Sequence, residues 1–79
     1  MMNPLFPIRD YVTEGVYYFV CRFSQEHGYA PTYREIGKAC DMTHVSAIRH
    51  ADKLVALGML RRTEGIARSL VVVDNSKQI

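Results

Sequence analysis

Ile36-Gly37-Lys38-Ala39-Cys40-Asp41-Met42-Thr43-His44-Val45-Ser46-Ala47-Ile48-Arg49-His50-Ala51-Asp52-Lys53-Leu54 is the stretch that decides the fold. It reads as a short helix, a turn of roughly three to four residues and a second helix, the arrangement of a helix-turn-helix. Asp41 ends the first helix where a left-handed residue is needed, which Asp tolerates better than most. Thr43 is placed to cap the second. Successive residues of that second helix are rotated by about 100°, so Ala47, Ala51 and Leu54 point one way, with Val55 beside them and Ile48 at the edge. Val45, Ser46, Arg49 and Lys53 point the other way, and His44 stands at the helix N-terminus. Small residues at Gly37 and Ala47 let the two helices cross closely. The same spacing also serves plain helix packing, so the flanks have to decide.

On the N-terminal side, Thr32-Tyr33-Arg34-Glu35 has the form of a capping box. Thr32 accepts a backbone N–H of the first turn, and Glu35 reaches back to the N–H of Thr32. The helix it opens is expected to bury Ile36, Ala39 and Cys40. Pro31 keeps Tyr29-Ala30 extended. Before it, Asp10 caps a further helix whose apolar face is Val12, Val16, Phe19, Val20 and Phe23, with Gly28 as its stop and His27 in its last turn. Gly15 inside this helix costs about 1 kcal/mol relative to Ala, a cost that a close backbone approach would offset. Residues 1–9 carry Pro4 and Pro7 and read as an extended arm.

On the C-terminal side, Gly58 ends the third helix near Leu57. Met59 to Thr63 reads as a strand, Glu64 to Arg68 as a turn, and Ser69 to Val73 as a second strand. Residues 74–79 form a polar tail. The order is helix, helix, helix, hairpin: one mainly α domain over residues 10–73 with a small antiparallel β-hairpin, a winged helix-turn-helix. The 79 residues, 48% hydrophobic and 23% charged, suit one globular domain and not two.

The net charge of +2 is only mildly basic, but its distribution is uneven. Between residues 34 and 68, seven basic side chains (Arg34, Lys38, Arg49, Lys53, Arg61, Arg62, Arg68) face four acidic ones (Glu35, Asp41, Asp52, Glu64). A winged helix with this excess is suited to double-stranded DNA, its third helix in the major groove and its wing on flanking phosphates. His44, Val45, Ser46 and Arg49 are the candidates for base readout. Arg49 has the planar fork for guanine O6 and N7, and Val45 suits a thymine methyl. The phosphate candidates are Thr32, Tyr33, Arg34, Thr43, Lys53, Arg61 and Arg68, with the helix N-termini at Thr32 and Thr43 adding free N–H groups. Each of these charges also has a plainer reading as a solvated surface group.

No Cys/His spacing fits a zinc site, the three histidines have no clustered carboxylates in sequence, and no phosphate-loop or nucleophile motif is present. The expectation is therefore a binding protein, with no enzyme activity, cofactor, metal or small-molecule ligand. Cys21 and Cys40 fall on apolar faces and read as small hydrophobes. No apolar run approaches the roughly 20 residues of a membrane span, and Met1-Met2-Asn3-Pro4 lacks a signal-peptide pattern, so the cytoplasm is expected.

Gly28-Tyr29-Ala30-Pro31-Thr32-Tyr33-Arg34-Glu35-Ile36-Gly37 resembles the approach to helix two in the LexA repressor DNA-binding domain. The similarity continues through Leu54, Gly58-Met59-Leu60 and the wing Gly65-Ile66-Ala67-Arg68-Ser69-Leu70, about residues 10 to 73. The resemblance implies operator binding by a winged helix-turn-helix, with base contacts on His44, Val45, Ser46 and Arg49 and with Tyr33 and Arg68 near the DNA backbone. The turn after helix two is one residue shorter than the family's. The family's self-cleaving Ser/Lys domain, which also dimerises it, has no counterpart in these residues, so self-cleavage is not carried over. The expected function is sequence-specific DNA binding as a transcriptional repressor or regulator. A winged-helix protein-interaction module, or an accessory factor in replication or recombination, stands as the alternative. A homodimer would gain half-site specificity, though no heptad seam offers an interface.

Overall fold

The computed structural model describes residues 10–73; the expectations for the arm, residues 1–9, and the tail, residues 74–79, lie outside them. The described chain forms α1 (Tyr11–His27), α2 (Tyr33–Cys40), α3 (His44–Ala56), β1 (Leu60–Arg61) and β2 (Val71–Val72). This is the winged helix-turn-helix order read from the sequence.

Each helix begins on the residue whose side chain satisfies its free N–H groups. Asp10 accepts from Val12 N at 2.9 Å, Thr43 accepts from Ser46 N at 3.1 Å, and the Thr32–Glu35 box closes in both directions at 2.8 and 3.1 Å. The helix stops are left-handed residues: Gly28 (φ 75°) after α1, Asp41 (φ 57°) after α2, and Gly58 (φ 78°) just beyond the end of α3. A short turn, Asp41 to Thr43, then swings the chain from α2 into α3.

The core is a small apolar cluster where the three helices meet the base of the hairpin. Val16 and Val20 come from α1, Ile36 from α2, and Ala47, Ala51 and Leu54 from α3; Met59, Leu60 and Leu70 close it from below. The alanines on α3 matter because a larger side chain would hold α1 and α2 away from it.

Three expectations need correction. Val12 is half exposed, and Thr13 takes the inward position instead, 1% exposed. Its hydroxyl is bonded to Asp10 Oδ2 at 3.1 Å and His50 Nδ1 at 2.7 Å, so a polar residue is buried with its hydrogen bonds satisfied. On α2, Ala39 is exposed while Gly37 is buried. The inward direction lies between Ile36 and Gly37, and at about 100° per residue that turns Cys40 inward and Ala39 out. The strands are two residues each, paired Leu60↔Val72 and Arg61↔Val71, rather than five. Beyond Arg61 the backbone ladder gives way to a side chain. Thr63 N donates to Ser69 Oγ at 3.1 Å, and Ser69 Oγ donates back to Thr63 O at 3.0 Å, closing the wing loop.

Cys21 and Cys40 are free and half-buried. Burial raises both thiol pKa values, which favours the protonated thiol over the thiolate. No helix among the described residues is long and apolar enough to cross a membrane.

Candidate nucleic-acid interface

The third helix presents its first turns to solvent. His44 and Arg49 are exposed, Val45 is 55% exposed and Ser46 is half-buried, while Ala47 and Ala51 on the opposite side are fully buried. The polar row and the packed row thus share one rigid rod, fixed at its N-terminus by the Thr43 cap. Arg49 has no hydrogen-bond or ion-pair partner among the described residues. A free guanidinium beside an exposed valine and a serine is an arrangement that can donate twice to a guanine edge and pack on a methyl.

Around this rod the cations fall into two groups. Arg34 on α2 and Arg61 on β1 are exposed and unpaired among the described residues, as is Lys38. The others are tied down. Lys53 Nζ donates to Asp10 Oδ2 at 3.1 Å. That bond is the main reason the Asp10 carboxyl titrates low, at about 2 instead of 3.8, with the Val12 N–H adding to it. Arg62 is bonded to Asp52 on α3, and reaches Glu64 Oε1 at 3.4 Å and the Tyr33 hydroxyl at 3.5 Å.

Arg68, an expected phosphate contact, is bonded within the folded chain. Its Nη1 donates to Ala30 O at 3.0 Å and Glu35 Oε1 at 2.9 Å, and its Nη2 donates to Glu35 Oε2 at 3.1 Å. Its guanidinium also lies 4.8 Å from the centre of the Tyr29 ring. Arg68 stabilises the ionised Glu35 and so holds its pKa below the ordinary carboxylate range; the Thr32 N–H contributes next.

The capping hydroxyls of Thr32 and Thr43 are at the two helix starts, as expected, and each already accepts one N–H. Tyr33 is half-buried behind Arg62. Sequence reasoning therefore located the exposed row on α3 but not the pairing of Lys53, Arg62 and Arg68. One signal was available: a capping-box glutamate uses only part of its acceptor capacity on its own helix, leaving a carboxylate able to engage a second donor.

Comparison with known proteins gives one consistent result. The family model of the LexA DNA binding domain matches residues 13–69. A LexA repressor of Koribacter versatilis (strain Ellin345) is 31% identical over 65 residues, covering 81% of this chain and 31% of that protein. LexA repressor 1 of Nocardia farcinica (strain IFM 10152) is 48% identical over 48 residues, 60% of this chain and 22% of that one. A LexA repressor of Oleidesulfovibrio alaskensis (strain ATCC BAA-1058 / DSM 17464 / G20) is 38% identical over 56 residues, 71% of this chain and 27% of its own length. The chain thus matches less than a third of the length of each of these curated relatives.

Proposed function

Because the chain belongs to the LexA DNA-binding domain family, we propose that it binds double-stranded DNA sequence-specifically and acts as a transcriptional repressor, by binding and not by catalysis. The observation that carries this reading is the solvent-facing row His44, Val45, Ser46 and Arg49 opposite the buried Ala47 and Ala51. In this reading α3 enters the major groove by its N-terminus. Arg49 takes a guanine edge, Val45 a thymine methyl, and His44 and Ser46 neighbouring bases or phosphates. Arg34 and Arg61 meet phosphates, together with the helix starts at Thr32 and Thr43 and the adjoining Tyr33. Lys53 and Arg68, bonded to Asp10 and Glu35, serve the interface from behind.

The test is enrichment of duplexes from a random pool by the purified protein, followed by binding of Arg49→Ala to the enriched site and its single-base variants. The variant is expected to lose about 1–3 kcal/mol on the enriched site and to stop discriminating at one base position. Equal loss on every duplex would remove base reading from Arg49. A palindrome in the enriched pool would mark binding as a homodimer on two half-sites. A protein-interaction module would instead enrich no duplex and leave no salt-dependent DNA binding.

A further inference from the structure

The two strands of the wing are held to each other by a ladder only two residue pairs long. Among the described residues no backbone ladder ties them to the helices, so the angle of the wing relative to α3 has to be fixed by side chains. One residue gathers the means to do so. Arg68 stands in a left-handed conformation, φ 56°, which an L-residue other than Gly, Asn or Asp adopts only when its surroundings insist. Those surroundings come from two parts of the chain at once: the connection between α1 and α2, through the Ala30 carbonyl and the Tyr29 ring, and α2 itself, through both carboxylate oxygens of Glu35. A two-pronged guanidinium–carboxylate pair fixes direction as well as distance. From the other strand of the hairpin, Arg62, next after β1, is bonded to Asp52 of α3.

We propose that Arg68 and Glu35 are positioning residues for DNA binding: their pair sets the wing so that it meets the flanking backbone when α3 is seated in its groove. This rests on the DNA-binding reading above. Neither side chain touches DNA in this scheme; the pair holds the wing in the binding-competent arrangement before DNA arrives. A wing released from it would occupy that arrangement only part of the time, and apparent affinity falls by the same fraction.

Glu35 makes the idea testable because charge and geometry give opposite signs. Removing an anion from a DNA-binding surface should by electrostatics alone tighten binding. Removing the partner of Arg68 should weaken it. Glu35→Gln isolates the effect, since Gln serves a capping box as well as Glu does. With its amide oxygen kept on the Thr32 N–H, it turns an NH2 group toward Arg68 Nη2.

The experiment measures binding of wild type, Glu35→Gln, Arg68→Lys, Arg68→Ala and the Glu35→Gln/Arg68→Ala double variant. The probe is a duplex that the wild type enriches from a random pool, and hydroxyl-radical footprints and thermal unfolding are recorded alongside. Each single variant is expected to bind about tenfold more weakly, and the double variant no more weakly than Arg68→Ala. Footprints should lose the flanking protections and keep the central ones, in variants that remain folded at the assay temperature. Binding by Glu35→Gln as tight as wild type, or tighter, overturns the proposal. So does full binding by Arg68→Lys, which would mean that Arg68 acts as a phosphate-contacting cation. An unchanged footprint with only a lowered unfolding midpoint would reduce the pair to a structural role and equally overturn it. If the wild type enriches no duplex, the DNA-binding reading itself falls; if it does and the variants match it, only the positioning role falls.

Discussion

Gly37 and Gly15 show how much one hydrogen atom in place of a methyl can mean. A Cβ built on Gly37 would lie 2.5 Å from the backbone oxygen of Met42 and 3.3 Å from Thr43. The turn folds back over α2 at this point, and Met42 N donates to Gly37 O at 2.8 Å, so the obstructing atom belongs to a bonded backbone and cannot swing aside. Gly37→Ala is expected to destabilise the protein by about 1–3 kcal/mol, as overpacking does. Gly15, exposed on α1, has no atom within 4 Å of such a Cβ, so the close approach suggested by its mid-helix position does not occur among the described residues. Gly15→Ala should stabilise by up to about 1 kcal/mol through helix propensity alone. Urea unfolding of the two variants should move the midpoint in opposite directions. A shared direction would contradict this account of the turn.

At the scale of the element, the Asp10 cap does more than start α1. Its carboxylate bonds Lys53 of α3 at 3.1 Å and the Thr13 hydroxyl at 3.1 Å, and Thr13 in turn meets His50 of α3 at 2.7 Å. Two helices are thus joined at the end where one begins. Because the folded protein holds the Asp10 proton less tightly than the ordinary value of 3.8, at about 2, unfolding takes up protons in that interval. The stabilisation is complete above about pH 4 and is lost as pH falls toward 2. Glu35, depressed chiefly by Arg68, shifts in the same sense. Asp10→Asn keeps a good capping residue but has no charge to lose. Its stability, measured by urea unfolding across this acid range, should fall less steeply with acid than the wild type's. Parallel curves would show that the carboxylate contributes nothing beyond the cap.

For the whole molecule, the relevant quantity is how many cations remain free to displace counterions from DNA. Pairing within the protein removes Lys53, Arg62 and Arg68 from that set. Arg34 and Lys38 on α2, Arg49 on α3 and Arg61 on β1 are left facing solvent without a partner among the described residues. Affinity should therefore fall with salt, and Arg61→Ala should reduce the slope of log K against log salt by about 0.9 while weakening all duplexes alike. Lys53→Ala should leave the slope nearly unchanged. A larger slope change for Lys53→Ala than for Arg61→Ala would mean that the internal pairs open on DNA and that the division of the cations described here does not hold in the complex.

The order of elements, the three capped helix starts, the left-handed stop at Asp41 and the solvent-facing row on α3 were legible in the residues themselves. Each depends on partners within about one helical turn, where spacing in sequence fixes spacing in space. Which charges remain available was not legible. Glu35 and Arg68 are 33 positions apart, Asp10 and Lys53 are 43 apart, and Asp52 and Arg62 are 10 apart. Only the crossing of the helices and the return of the hairpin bring those groups within bonding distance. Exchange of Val12 for Thr13 at the inner face of α1 has the same origin, since the histidine that satisfies the buried hydroxyl comes from another helix. Local hydrogen bonding and periodicity act along the chain, whereas ion pairs and buried polar contacts act through space, and only the folded packing determines which of them form.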